Sequence, residues 1–424
     1  MADVPVPSVR RRPPGPTPVV PAPSDAEPRP SVLGQWNSAV TSYYVLIGTT
    51  TLLLVIGLVM VLSSSSVESL DEGNSPYAVF FDQAKYALIG LPALLVLSRL
   101  PVRVMQAFAW PVLGAAIAFQ LLVFVPGLGC GAGGNQNWVC VGGFSAQPSE
   151  AIKLALAVWL GAVLARKLTL LREWKHALIP AVPVAGVAVL VVLAGHDLGT
   201  ALVLLLLVAG AMFVAGVPLR IFGVAAVAGA GVATLLTVTS DNRTDRIMSW
   251  LSSDCDASSA CYQTLHGGWG LASGGWGGLG LGESREKWSY LPAAHNDFIF
   301  AILGEELGLI GTLLVLGLFG LMAFAMVRVI RRHPDPFVQI TTGGILCWII
   351  GQALVNIAVV IGLAPVIGLP LPLVSAGGSA LIMTMAALGV VISFARSEPG
   401  AAEALAARPS VVRRSLAVIG RSRG

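Results

Sequence analysis

Residues 43–62 read YYVLIGTTTLLLVIGLVMVL, twenty residues without one charged side chain. A helix rises 1.5 Å per residue, so a stretch of this length crosses the roughly 30 Å hydrocarbon core of a bilayer. It has no polar face to turn toward water, which marks a helix surrounded by lipid or by other apolar helices. The rest of the chain repeats the pattern. Further apolar runs lie near Ala84 to Leu97, Val104 to Val125, Ala151 to Ala165, Leu178 to Leu193, Leu198 to Val217, Ile221 to Val238, Phe298 to Val327, Phe337 to Leu363 and Leu371 to Phe394. Apolar residues make up 55% of the chain and charged residues 11%, against about 25% charged in an ordinary soluble domain. The expected fold is an all-α polytopic membrane protein with about ten transmembrane helices. The second and fourth runs are short and borrow residues from Asp82 and from Ser149 onward, which brings polar groups inside the membrane boundary.

Three regions follow: a Pro/Arg-rich tail over residues 1–40, a membrane domain over 41–396 and a basic tail over 397–424. The first 36 residues hold ten prolines and Arg10-Arg11-Arg12, with no apolar core of the kind a cleaved signal contains. This composition reads as disordered. Basic loops stay cytoplasmic. With both tails inside, only Lys85, Lys153, Arg243, Arg246, Arg285 and Lys287 fall elsewhere, so the expected location is the cytoplasmic membrane, multi-pass, with both termini cytoplasmic. Cys130 and Cys140 then share one outside loop, and Cys255 and Cys261 another, where an oxidising compartment favours two short disulfides. Pairing between the loops, or free thiols, stays open on sequence alone. Cys347 sits inside the ninth run.

Charged groups within a bilayer cost about 2.5–3.5 kcal/mol each on insertion scales, so each asks for a partner or a role. Glu150 and Lys153, after Gln147, share a helical face. They form either a structural ion pair or one wall of a polar cavity. Asp197 reads as a helix cap. Gln352 and Asn356, four residues apart, share a face suited to hydrogen bonds between helices, and Glu305 and Glu306 point about 100° apart.

Between the seventh and eighth runs the chain leaves the membrane over residues 239–297, far longer than ordinary connections, and such loops are commonly functional. Residues 267–282 read GGWGLASGGWGGLGLG, which matches neither a phosphate-binding loop nor a dinucleotide fingerprint; a re-entrant or surface-lying segment is expected. The loop ends at His295-Asn296-Asp297, where water meets lipid. A carboxylate held there acts either as a helix cap or as a general base toward a substrate with its tail in lipid and its head outside.

Taken together, Asn137-Trp138, Gln147-Pro148-Ser149-Glu150 with Lys153, Asp197-Leu198-Gly199-Thr200, Arg243 with Arg246, Tyr262-Gln263, Leu291-Pro292 through His295 to Asp297-Phe298-Ile299-Phe300, Glu305-Glu306-Leu307-Gly308, Asn356, and Leu371 to Ser375 with Gly377-Gly378-Ser379 resemble the SEDS family (shape, elongation, division and sporulation). These are the FtsW and RodA type of peptidoglycan glycosyltransferase. The resemblance covers about residues 40–396, with departures at Asn137, Asn296 and Ala376. It implies polymerisation of lipid II, the undecaprenyl-pyrophosphate disaccharide-pentapeptide, outside the cytoplasmic membrane. Asp297 would be the general base. Substrate contacts would come from Trp138, Gln147, Glu150, Lys153, Arg243, Arg246, Lys287, His295, Asn356, Ser375 and Ser379, with the cations facing the pyrophosphate. No cluster has the spacing of a dedicated metal site, although the leaving pyrophosphate admits a divalent cation, Mg or Mn.

The implied partners are lipid II, membrane lipid, a class B penicillin-binding protein and other division proteins met through the tails; no nucleic acid is expected. Glu305-Glu306-Leu307-Gly308 and the long tails lean toward the division type at the septum. A lipid II flippase or other transporter, and a division scaffold, are the competing readings.

Overall fold

The structure is a computed structural model that describes residues 39–71, 73–132, 135–142, 144–238, 244, 248, 250, 260–288, 290–292 and 294–406. The long helices are α1 (Thr41–Asp71), α2 (Ala78–Leu97), α3 (Val102–Leu121), α4 (Pro148–Ala165), α6 (Ala181–Ala194, after the short α5, Trp174–Leu178), α7 (Leu198–Val214) and α8 (Leu219–Val238). After the long loop, which contains α9 (Ala260–Ser273), come α10 (Ile299–Arg332), α11 (Pro336–Val360), α12 (Gly378–Arg396) and the short α13 (Ala401–Ala406). Among the described residues 8 helices are long and apolar enough to cross a membrane, and Leu198–Val214 and Leu219–Gly231 are shorter apolar helices. The chain is a multi-pass membrane protein.

Helices of a membrane bundle gain little from burying one apolar surface against another, so they associate where small residues let backbones approach. Gly389 of α12 lies against the backbone of Leu94 in α2, Gly210 of α7 against Cys347 and Gly343 of α11, and Gly161 of α4 against Thr341 of α11. These contacts set α4 and α11 at the centre, where Trp159 and Trp348 are fully buried.

Between α3 and α4 the chain forms a three-stranded antiparallel sheet, β1 (Gly129–Ala132), β2 (Asn135–Val141) and β3 (Phe144–Ala146), which the hydropathy pattern does not announce. Cys130 pairs with Trp138 across β1 and β2, and the Cys130–Cys140 disulfide closes the hairpin. Cys261 is also disulfide-bonded. Its expected partner, Cys255, lies outside the described residues.

At the opposite end, His333 joins α10 to α11. Its Nδ1 accepts from the Asp335 amide at 3.1 Å and its Nε2 meets the Ser397 hydroxyl at 3.3 Å. An acceptor Nδ1 requires the neutral ring, and burial lowers the His333 pKa below 6.5 against the opposing pull of Asp335. A lowered folded pKa adds stability that is complete above 6.5 and is lost as pH falls through the folded value. Acidification below 6.5 is therefore expected to lower the thermal unfolding midpoint, and His333→Asn is expected to flatten that part of the profile.

Candidate active site

The decisive irregularity is where a tenth continuous helix was expected from Leu371. Helix α12 instead begins at Gly378, and residues 361–377 run as non-helical backbone through the protein, with Leu371, Leu373, Val374 and Ser375 buried. Unwound backbone at membrane depth is tolerated only where the protein satisfies its polar groups. Side chains of two helices do so here, and a third helix packs closely against the segment. From α11, Gln352 Nε2 donates to the Pro370 carbonyl at 2.8 Å and Asn356 Nδ2 to that of Leu369 at 2.7 Å. From α2, Gln83 Nε2 donates to the Ser375 carbonyl at 3.0 Å, while its Oε1 accepts from the Gly377 amide at 3.2 Å. From α1, Gly57 lets the backbone of Leu373 and Val374 approach closely.

This segment forms a floor under Asp297. The carbonyls of His295, Asn296 and Asp297 are each anchored: Ala376 N–H donates to the first at 3.0 Å, Ser375 Oγ to the second at 2.6 Å and Asn356 Nδ2 to the third at 2.7 Å. Asp297 is half-buried at the start of α10, and a Cβ placed on Gly368 would stand 3.6 Å from its Oδ2. The N-cap position of α10 is Phe298, one residue after Asp297.

Several residues expected to touch substrate have other work. Ser375 Oγ also accepts from the Leu371 amide at 2.8 Å, so its hydroxyl serves the floor. Asn356 holds Asp297 and Leu369 in place. Ser379 Oγ accepts from the Gln147 amide at 3.0 Å, and Gln147 Nε2 donates to Asp197 at 2.9 Å. Asp197 caps α7 through Thr200 N at 2.8 Å and also receives Asn137 Nδ2 at 2.9 Å. That network locks the hairpin, and with it the part-exposed Trp138, onto the bundle. The place of Asp197 just before an apolar run signalled the cap; nothing in sequence spacing signalled its link to Gln147.

Glu150 and Lys153 form a buried pair at 2.7 Å, with side chains 4% and 1% exposed. Lys153 Nζ also donates to Gln352 Oε1 at 3.2 Å and lies 5.0 Å from the Trp348 ring centroid. Through Gln352 and the Pro370 carbonyl this pair is connected to the floor that carries Asp297.

Lys287, which the resemblance set facing the pyrophosphate, lies in a buried ion pair. Its ammonium is buried, donating to the Gly282 carbonyl and facing Glu306 Oε1 at 3.3 Å, where Ser63 Oγ of α1 also binds that carboxylate at 2.6 Å. Glu305 receives Ser273 Oγ, Ser284 Oγ and the amides of Arg285 and Glu286. The adjacent carboxylates do point apart, and both organise the loop.

The glycine-rich stretch begins as the end of α9 and then pairs with the backbone of α10. Helix α10 breaks at Gly308 (φ 69°, ψ −166°). The carbonyls of Glu305 and Glu306, which a regular helix would give to residues four ahead, accept instead from Leu279 N at 2.9 Å and Gly280 N at 3.1 Å. The freed amides of Leu309 and Ile310 donate to Gly275 O at 2.9 Å and Trp276 O at 3.2 Å. Gly278 sits at φ +80° with its α-carbon directed at the Glu306 carbonyl. Gly278→Ala is expected to cost at least about 1–3 kcal/mol from backbone strain, read as a lowered thermal midpoint.

Arg243 and Arg246 lie outside the described residues. Among the described residues no group of three or more His, Cys, Asp or Glu side chains is placed to hold a metal ion.

The family model for the cell cycle proteins FtsW, RodA and SpoVE matches residues 43–399. The chain belongs to that family. It is 42% identical over 396 residues to a probable peptidoglycan glycosyltransferase FtsW of Mycobacterium tuberculosis, covering 93% of this chain and 75% of the relative. It is 35% identical over 349 residues to the stage V sporulation protein E of Bacillus subtilis, covering 82% and 95%. Among solved structures, a chain from work titled "Structural coordination of polymerization and crosslinking by a peptidoglycan synthase complex" superposes with a TM-score of 0.69 at 28% identity, covering 83% of this chain and 97% of that one. The rod shape determining protein RodA of Thermus thermophilus gives 0.62 at 28% identity, covering 83% and 96%. The stretch matched by the family model begins inside α1 and ends just past α12, so it contains the floor, the hairpin and the Asp297 turn.

Proposed function

We propose that this FtsW/RodA/SpoVE family member is a lipid-linked glycosyltransferase that polymerises lipid II into glycan strands during cell division, with Asp297 as general base. The observation that carries the assignment is the anchoring of three successive carbonyls, which fixes a half-buried carboxylate at the rim of the bundle. In the reaction an acceptor sugar hydroxyl attacks the anomeric carbon of a second lipid-linked saccharide. Its proton passes to the Asp297 carboxylate, the new glycosidic bond forms, and the diphosphate leaves with the electron pair of the broken bond. A base in this position contributes roughly 10² to 10⁴-fold. Trp138 and His295, both part-exposed, are assigned to the saccharide and diphosphate; Arg243 and Arg246 are assigned to the leaving charge. A divalent cation, Mg or Mn, accompanying the diphosphate would help to neutralise that charge, so assays belong both with and without chelator.

The family relationship supports a class B penicillin-binding protein as partner and a site at the division septum, with both termini and the tails cytoplasmic. The test is polymer formation from lipid II by purified protein, alone and with that partner. Absence of polymer under both conditions would overturn the assignment. The buried Glu150–Lys153 pair is the observation that favours a flippase, and translocation of lipid II in vesicles by protein that makes no polymer would establish that reading instead.

A further inference from the structure

Glu68, on the last turns of α1, belongs to none of the motifs that carry the family resemblance, yet its Oε2 lies 2.7 Å from His295 Nδ1. The side chains are 44% and 15% exposed, so the pair stands at the rim of the site, two residues from Asp297. We propose that Glu68 is a positioning residue: it holds the His295 imidazole by Nδ1 and so presents Nε2 to an oxygen of the substrate diphosphate. The proposal rests on the reading of His295 as a substrate contact.

The alternative, that the pair merely ties α1 to the turn, has little left to explain. The turn's backbone is already fixed at residues 295, 296 and 297 by Ala376, Ser375 and Asn356. Helix α1 is already fixed to this end of the bundle by Ser63 on Glu306 and by the close approach of Gly57 to Leu373 and Val374. What those contacts leave undetermined is the His295 ring, which can turn about its side-chain bonds with the backbone held. A carboxylate at Nδ1 selects one ring orientation, because the flipped ring would set a carbon against it. Its charge 2.7 Å from Nδ1 also sets which edge of the ring faces the protein, leaving Nε2 on the side open to the substrate. In this orientation Nε2–H donates to a diphosphate oxygen, with the Glu68 carboxylate standing behind the ring.

The experiment is lipid II titration of the full chain, with its synthase partner if polymerisation requires one. Losing a hydrogen bond to a charged group corresponds to about ten- to hundredfold in binding. Glu68→Ala and His295→Ala are each expected to raise KM by about tenfold with kcat within about twofold, and the double variant is expected to be no worse than His295→Ala. Glu68→Gln keeps an acceptor beside Nδ1 but removes the charge, and is expected to fall between wild type and Glu68→Ala. Glu68→Met, of similar length and without that acceptor, is expected to match Glu68→Ala and replaces it if the alanine variant fails to fold. An unchanged KM in Glu68→Ala or Glu68→Met beside an impaired His295→Ala would overturn the role of Glu68 alone. Effects that multiply in the double variant, or a Glu68→Gln as impaired as Glu68→Ala, would do the same. An unimpaired His295→Ala would remove the substrate contact and the positioning role together.

Discussion

Asp297→Asn is expected to reduce glycan polymerisation by about 10² to 10⁴-fold while KM for lipid II stays within a few-fold. The substitution replaces one carboxylate oxygen with an amide nitrogen and keeps side-chain size, and the backbone restraints on residue 297 run through its carbonyl, which the change leaves alone. What disappears is the ability to accept the hydroxyl proton as the glycosidic bond forms. Single-turnover assays separate this from a binding defect, and the thermal midpoint is expected to stay close to wild type. A rate within tenfold of wild type would require another base.

Lys153→Ala is expected to act through the fold. Glu150 is 3% exposed, and its second oxygen has no hydrogen-bond partner among the described residues. Removing the ammonium leaves a buried carboxylate uncompensated, at about 3–5 kcal/mol, and also frees Gln352 Oε1 beside the floor. The variant is expected to lose most of its activity together with a large drop in thermal midpoint. The double variant Glu150→Met with Lys153→Met removes both charges, and replacing a buried pair with apolar residues of similar volume is often neutral. Its thermal midpoint is expected to recover. If activity also recovers, the pair is structural; if stability returns without activity, the charges face the substrate.

The bundle was legible because lipid imposes one rule on every span, a long run of apolar residues, and because glutamate and lysine three apart must share a face. The Asp197 cap and the Cys130–Cys140 bridge are local in sequence, and they too could be read. What could not be read depends on where separate segments meet. Asn356 and Ser375 were named as substrate groups by the family resemblance, and periodicity cannot reveal that both also hold an unwound stretch of the same chain. Leu371 to Ser375 is apolar enough to pass for a helix start, and Leu373 adopts φ 67° there, a conformation that composition does not announce. Gln83 and Glu68 were missed for a related reason: their partners, Ser375 and His295, are more than two hundred positions away and become neighbours only after α1 and α2 pack on the floor.

The break at Gly308 also bears on how this protein can be rebuilt. Four backbone groups of α10 find their partners in residues 275–280 rather than in the helix itself. Excising or transplanting that glycine-rich stretch alone would strand those groups without their partners, at a cost of up to several kcal/mol for each one left in an apolar surrounding. In a chimera with a relative, residues 274–282 and the outer third of α10 therefore form one exchangeable cassette, and a splice that separates them is expected to yield protein that inserts but does not assemble.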